Sequence, residues 1–314
     1  MTTSKKIAFL FPGQGAQYVG MGKSFYDAFS CFRQTIEQAS DILSCDIKKI
    51  IFSGPENVLA TTKNSQPAIF IISMATLKVL EEQFPKIQPD VCAGLSLGEY
   101  SALTASNKLD FQQALLLVKK RSLWMSEACK TNPGSMSAVL GLDAKDVQEV
   151  IDSLSQQHQV WAANFNCPRQ VVISGTKEGL SVVTEKLNSK GAKRVIPLKV
   201  EGAFHSGLMR KAKEKLAQEI SQINIKKSYI DIVMNTSGDY VRDENEIKNY
   251  LIEQVTQSVY WEKSIHAMEK ENVDVYIEIG PGQTLTNMNK KIKIKGLSFF
   301  VDNLQDLDNL SEIQ

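Results

Sequence analysis

At 314 residues, 43% hydrophobic and 23% charged, the chain has the composition of a globular protein, long enough for one large domain or two modest ones. A formal net charge of +1 excludes the basic excess of a general nucleic-acid binder. Five cysteines (Cys31, Cys45, Cys92, Cys129 and Cys167) form no CxxC pair, and with three histidines they supply no zinc ligand set, so no metal is expected and a reducing compartment fits.

The opening MTTSKKIAFLFPGQG starts like a signal peptide, but IAFLF is too short for an h-region and Pro12 and Gly13 end it. No apolar run approaches the ~20 residues of a spanning helix. A cytoplasmic location without membrane partner is therefore expected. KIAFLF (6–11) reads as a buried strand closed by a PGQG turn, and 21–43 as one amphipathic helix. Pro67 suits the first position of a helix running through AIFIISMATLKVLEEQF, where its missing N–H costs nothing. DVCAGL (90–95) is the next strand, 97–105 turn helical, and 110–130 form a long helix carrying Arg121.

From 132 to 200 the rhythm changes to β-α-β-β-α-β: SMSAVLGL, DAKDVQEVIDSLSQQ, QVWAANF, QVVISG, KEGLSVVTEKLNSKG and KRVIPLKV. That order is the split βαβ arrangement of ferredoxin-like domains. Helix–strand alternation resumes through IDIVMNT and VYIEIG, so the unit reads as an insertion in a larger α/β core. The expected division is 1–131 with 201–314 for the core and 132–200 for the inserted subdomain. Basic clusters at Lys119–Arg121, Arg210–Lys215 and Lys290–Lys295 read as solvated faces.

Chemistry concentrates at GLSLG, which places Ser96 between Gly94 and Gly98 at a strand-to-helix turn. G-x-S-x-G in that context is a nucleophile elbow, with the following helix directing N–H groups and its positive end at a developing oxyanion. The plainer alternative is a serine that caps a helix. A serine nucleophile needs a base. His158 lies in a polar connection and His266 on a helix face; His205, in VEGAFHSGLM after a strand, is favoured. No Asp or Glu announces itself as a third triad member, so a backbone carbonyl could orient the imidazole. The first turn, FPGQGAQ (11–17), lacks both phosphate-loop and dinucleotide spacings and offers Gln14 as a backbone oxyanion donor.

With these stretches side by side, the chain resembles the malonyl-CoA:acyl carrier protein transacylases of bacterial fatty acid synthesis. The resemblance runs nearly end to end through FPGQGAQ, QPAIF (66–70), the serine elbow, NFNCPRQVVISG (164–175), the histidine loop and IEIGPG. It implies a hydrolase-like α/β core with a parallel sheet, a serine nucleophile elbow and an inserted ferredoxin-like subdomain. It implies Ser96 as nucleophile, His205 as base, and the main-chain N–H groups of Gln14 and Leu97 as oxyanion donors. The Gln254 main-chain carbonyl falls where the family orients its histidine, and Arg121 where it grips the malonyl carboxylate. Without the resemblance, Arg121 belongs to the surface run Lys119–Lys120–Arg121. Phe204 fits a malonyl-preferring pocket. One departure is Leu95, where the family usually has histidine, which changes the polarity beside the nucleophile. The implied reaction passes malonyl from malonyl-CoA through Ser96 to the phosphopantetheine thiol of an acidic acyl carrier protein, with no cofactor and a monomeric enzyme. One basic cluster, the helix beginning at Arg210, is the expected docking surface. The alternatives are a serine thioesterase or esterase, a polyketide acyltransferase, and a catalytically silent scaffold.

Overall fold

The computed structural model describes residues 5–313. Ten strands form two sheets: β1 (Ile7–Phe11), β2 (Val91–Gly94), β3 (Ser135–Leu140), β4 (Val160–Cys167), β5 (Gln170–Gly175), β6 (Arg194–Pro197), β7 (Asp231–Met234), β8 (Asp239–Tyr240), β9 (Val275–Ile279) and β10 (Leu297–Val301). The larger sheet has the order β10-β9-β1-β2-β7-β8, parallel throughout except for the antiparallel edge strand β8. The smaller is a four-stranded antiparallel sheet, β4-β5-β3-β6, drawn from one continuous stretch of chain.

The larger sheet is covered on both faces, which is why its strands read as unbroken apolar runs. Along β1, Ile7, Phe9 and Phe11 enter one core while Ala8 and Leu10 enter the other. The period of two sorts a single run onto two faces. The smaller sheet has its own core, in which Val139, Val171 and Ile173 meet Val147, Leu180 and Val183 from two helices. Three cores follow, one on each face of the larger sheet and one inside the smaller unit.

Two helical expectations need correction. The span 21–43 is two helices, Lys23–Ala28 and Ser30–Leu43, because Phe29 adopts an extended conformation (φ −114°, ψ 131°) between them. Pro67 does not open its helix but lies inside Thr62–Gln83. Pro67 has no N–H to give the carbonyl one turn back. That carbonyl, on Lys63, instead accepts from Ser122 Oγ at 3.4 Å, so a neighbouring helix tolerates the proline. Two short helices, Ile47–Ser53 and Glu56–Leu59, and the strand β10 add to the elements expected from the sequence. Thr62–Gln83 is buried on nearly every side from Ser65 to Leu77, which erases its amphipathic period. Among the described residues no helix is long and apolar enough to cross a membrane.

Candidate active site

The C-terminal end of β2 breaks at Gly94, and the chain turns through Ser96 into the helix Gly98–Ala105. Side chains at either glycine would collide with backbone: a Cβ on Gly94 would lie 2.0 Å from the Gly98 carbonyl, and one on Gly98 would lie 2.1 Å from the Phe11 oxygen. The turn is therefore tight enough to lift Ser96 above the sheet, and Ser96 itself occupies the left-handed region at φ 52°. Non-glycine residues pay roughly 1–2 kcal/mol there, so the surroundings must hold it. They do. Asn235, directly after β7, accepts the Ser96 N–H on Oδ1 at 2.6 Å and donates Nδ2 to the Gly94 carbonyl at 2.7 Å.

His205 reaches the same point from the loop between β6 and the helix Arg210–Gln222, also with positive φ (56°). Its Nε2 lies 2.8 Å from Ser96 Oγ and its Nδ1 2.7 Å from the main-chain oxygen of Gln254. A carbonyl only accepts, so the proton sits on Nδ1 and Nε2 is left free to receive the serine proton. Burial first, and then the nearby Arg121 charge, lower the His205 pKa to about 4 against the opposing hydrogen bond to Gln254. The imidazole is thus neutral at physiological pH.

Arg121 is not on the surface. It is 1% exposed, because the helix Phe111–Thr131 turns Lys119 and Lys120 outward and this one side chain into the core. The guanidinium donates to Gln66 Oε1 at 2.6 Å, to Gln254 Oε1 at 2.9 Å and to Ser96 Oγ at 3.0 Å, and it lies 5.7 Å from the Tyr100 ring centroid. Three neutral acceptors share a buried cation, and no carboxylate lies within ion-pair distance among the described residues. Its Nε has no hydrogen-bond partner among the described residues. A cation so placed is poised for an incoming anion beside the nucleophile.

The main-chain N–H groups of Gln14 and Leu97 make no hydrogen bond among the described residues, whereas the Ser96 N–H is taken by Asn235. The Gln14 side chain is held by Thr62 at 3.4 Å and Gln66 at 3.5 Å, which steadies the first turn. Leu95, Met125, Met136, Phe204 and Met288 give the mouth of the site an apolar lining around a cavity of about 180 Å³. Leu95 packs with the core containing Met288 and Leu285 and touches neither His205 nor Arg121 through any polar atom. His158 ends a short 3₁₀ turn and His266 sits 3.8 Å from Glu262 on an outer helix, so neither shares the site. Among the described residues no group of His, Cys, Asp and Glu could hold a metal ion. A larger cleft of about 960 Å³ around Lys108 and Tyr229 contains no nucleophile beside a base.

Sequence reasoning missed three members of this cluster: Gln66, Asn235 and Glu99. Glu99 offered the one available signal, a carboxylate inside the otherwise apolar helix start GEYSAL. It is fully buried, which pushes its pKa up to about 8 against the opposing pull of the Asn235 N–H, Arg121 and Gln254.

The acyl transferase domain family matches residues 8–296. The malonyl CoA-acyl carrier protein transacylase of Bacillus subtilis is 42% identical over 288 residues, covering 91% of this chain and 90% of that one. The Streptococcus pneumoniae structure of this kind superposes with a TM-score of 0.93 at 40% identity, covering 98% of this chain and all of its own. A malonyl-transacylase solved in complex with a type II PKS acyl-carrier protein superposes at 0.94 with 34% identity, covering 98% of this chain and 100% of that one. Both sheets thus belong to an α/β fold that matches these structures.

Proposed function

We propose, for a chain that belongs to the malonyl CoA-acyl carrier protein transacylase family, the reaction carried in that family's name: transfer of malonyl from coenzyme A to acyl carrier protein, supplying fatty acid synthesis. The observation that carries the reading to this chain is the buried Arg121 guanidinium 3.0 Å from Ser96 Oγ, a cation where a serine-bound acyl group would end in a carboxylate. Ser96 Oγ attacks the thioester carbonyl while its proton passes to His205 Nε2. The oxyanion is received by the N–H groups of Leu97 and Gln14, both without other partners. The Gln254 carbonyl fixes the imidazole in the tautomer the step requires. Coenzyme A leaves as a thiol with the proton from His205. The phosphopantetheine thiol of the carrier protein then attacks the malonyl-serine ester by the same route in reverse.

In this reading residues 1–131 and 201–314 are a hydrolase-like core, and 132–200 a ferredoxin-like insertion. The insertion contributes Met136, Asn164 and Leu198 to the wall of the cavity. The enzyme works in the cytoplasm as a monomer on an acidic carrier protein. On the helix Arg210–Gln222, Lys213 and Lys215 are already paired with Glu253 and Glu127 at 2.6 and 2.7 Å. Arg210 and Lys211 are exposed and have no carboxylate partner among the described residues, so they are the docking cations. Reversing both charges should raise KM for the carrier protein several-fold and leave malonyl-CoA acylation of Ser96 unchanged. Steady-state kinetics with each substrate varied separately checks this, and an unchanged carrier-protein KM moves the docking surface elsewhere.

The reaction is tested by intact-protein mass spectrometry after brief mixing with malonyl-CoA. A malonyl adduct discharged by added carrier protein supports transfer, whereas rapid discharge by water alone makes the protein a hydrolase. The pH dependence of acylation is a second test. His205 must be neutral to accept the proton, and its pKa is lowered to about 4. The acylation rate should therefore hold level from neutral pH down to about pH 5 and fall as pH drops through the pKa of the base. Stopped-flow acylation across that range measures it, and a fall already complete near the ordinary histidine value would exclude His205 in this environment as the base.

A further inference from the structure

We infer that Glu99 is a positioning residue that sets the orientation of the Gln254 side chain and, through it, aims Arg121 at the substrate carboxylate. The inference rests on the malonyl-transfer reading above and concerns a residue whose side chain hydrogen-bonds neither Ser96 nor His205.

The argument is one of hydrogen-bond polarity. Glu99 Oε2 accepts from Gln254 Nε2 at 2.6 Å, and Glu99 Oε1 accepts from the Asn235 main-chain N–H at 2.6 Å. Gln254 Nε2 also donates to the Ser96 carbonyl at 2.8 Å, while Gln254 Oε1 accepts from Arg121 at 2.9 Å. Arg121 can only donate, and both Glu99 oxygens face N–H donors, an arrangement fully satisfied by the carboxylate that forms as pH rises through its raised pKa of about 8. Between those two ends a carboxamide has one workable orientation, oxygen toward arginine and nitrogen toward glutamate. Turning it over would set NH2 against guanidinium and oxygen against both the carboxylate and the Ser96 carbonyl.

The same carboxylate reaches the nucleophile by a second route. Its Oε1 fixes the backbone of Asn235, whose side chain spans the Ser96 N–H and the Gly94 carbonyl. Gln254 also supplies the main-chain oxygen that holds His205. Glu99 and Gln254 are at 0% exposure and Asn235 and Arg121 at 1%, so water cannot substitute for a partner lost among these four. Helix position explains why the residue can serve: Glu99 sits in the first turn of the elbow helix with its buried side chain turned to Asn235 and Gln254, while Ser96 just before it lines the cavity.

Glu99→Gln is nearly isosteric but brings one acceptor and one donor to a place that presents two donors. Whichever way its amide lies, an N–H faces an N–H, or Gln254 turns over and releases Arg121. The test reads acylation rates from malonyl-CoA and acetyl-CoA by intact-protein mass spectrometry on the native protein and the variant at about pH 9, above the raised Glu99 pKa, with a thermal melt to establish folding. No malonyl adduct on the native protein would sink the functional reading itself. Given that adduct, Glu99→Gln should acylate from malonyl-CoA roughly 10- to 100-fold more slowly. Its preference for malonyl over acetyl should fall severalfold, because Arg121 loses its aim. Equal losses with both donors in a folded variant would reduce Glu99 to a structural role and overturn the inference, as would malonyl acylation within about twofold of native.

Glu99→Asp covers the case in which the glutamine variant does not fold. It keeps an acceptor-only group but, being one methylene shorter, reaches one of the two donors. The malonyl preference should drop in the same direction by a smaller factor, and an undiminished preference would also overturn the inference.

Discussion

Ser96→Ala should leave a folded protein that forms no malonyl adduct and malonylates carrier protein about 10⁴-fold or more slowly. The size of the loss follows from the lack of a substitute. Burial pushes the Cys129 thiol up to about 12 and raises that of Cys92 further, and neither lines the cavity. The variant removes one oxygen that donates to His205 and accepts from Arg121, at the open mouth of the site where water can take its place. His205→Ala should cost nearly as much, and the double variant little more than either alone, because the two groups act as a unit. The rate of carrier-protein malonylation by the three variants measures this. Additive losses would mean that Ser96 and His205 do not share the proton transfer.

Arg121→Ala is the second large effect, and it should change preference as well as rate. Without the guanidinium, the malonyl carboxylate is buried with no counter-charge, a loss of about 3–5 kcal/mol and hence roughly 10²- to 10⁴-fold in kcat/KM for malonyl-CoA. Acetyl-CoA carries no such group, so its acylation should be spared or rise, and the malonyl-to-acetyl ratio should collapse. Competition between the two donors, read as adduct masses on Ser96, gives that ratio directly. Arg121→Lys should recover little, because one planar fork serves Gln66, Gln254 and Ser96 at once and an ammonium cannot span all three. A ratio that survives in Arg121→Ala would remove this residue from substrate selection.

Much of this architecture was legible along the chain. Strand β1 and the elbow strand β2 announce themselves as short apolar runs ended by glycine-rich turns, since a parallel strand covered on both faces admits no polar alternation. The β-α-β-β-α-β order appears in the structure with its two helices Ala144–Asp152 and Lys177–Lys190 where the patterns lie. The failures have equally local causes. A helix buried all round has no amphipathic stripe, so the start of Thr62–Gln83 was misplaced onto its proline. The break at Phe29 leaves no composition signal, because both flanking helices put aromatic residues, Phe25 and Phe32, into the same core.

By itself, the sequence determined the strands, the tight glycine frame around Ser96 and the short list of histidines that could serve it. Periodicity and steric constraint act between near neighbours, and they are written in short windows of residues. Only the tertiary structure decided that Arg121 leaves a lysine-flanked helix for the core. Only there does Asn235 clamp an elbow 139 positions away, and only there does Glu99 meet a glutamine 155 positions away. Those contacts depend on where β7 pairs beside β2 and on which way buried amides can face. No window of sequence contains both partners of such a bond, and their polarity acquires meaning only once packing has removed the water that would otherwise satisfy them.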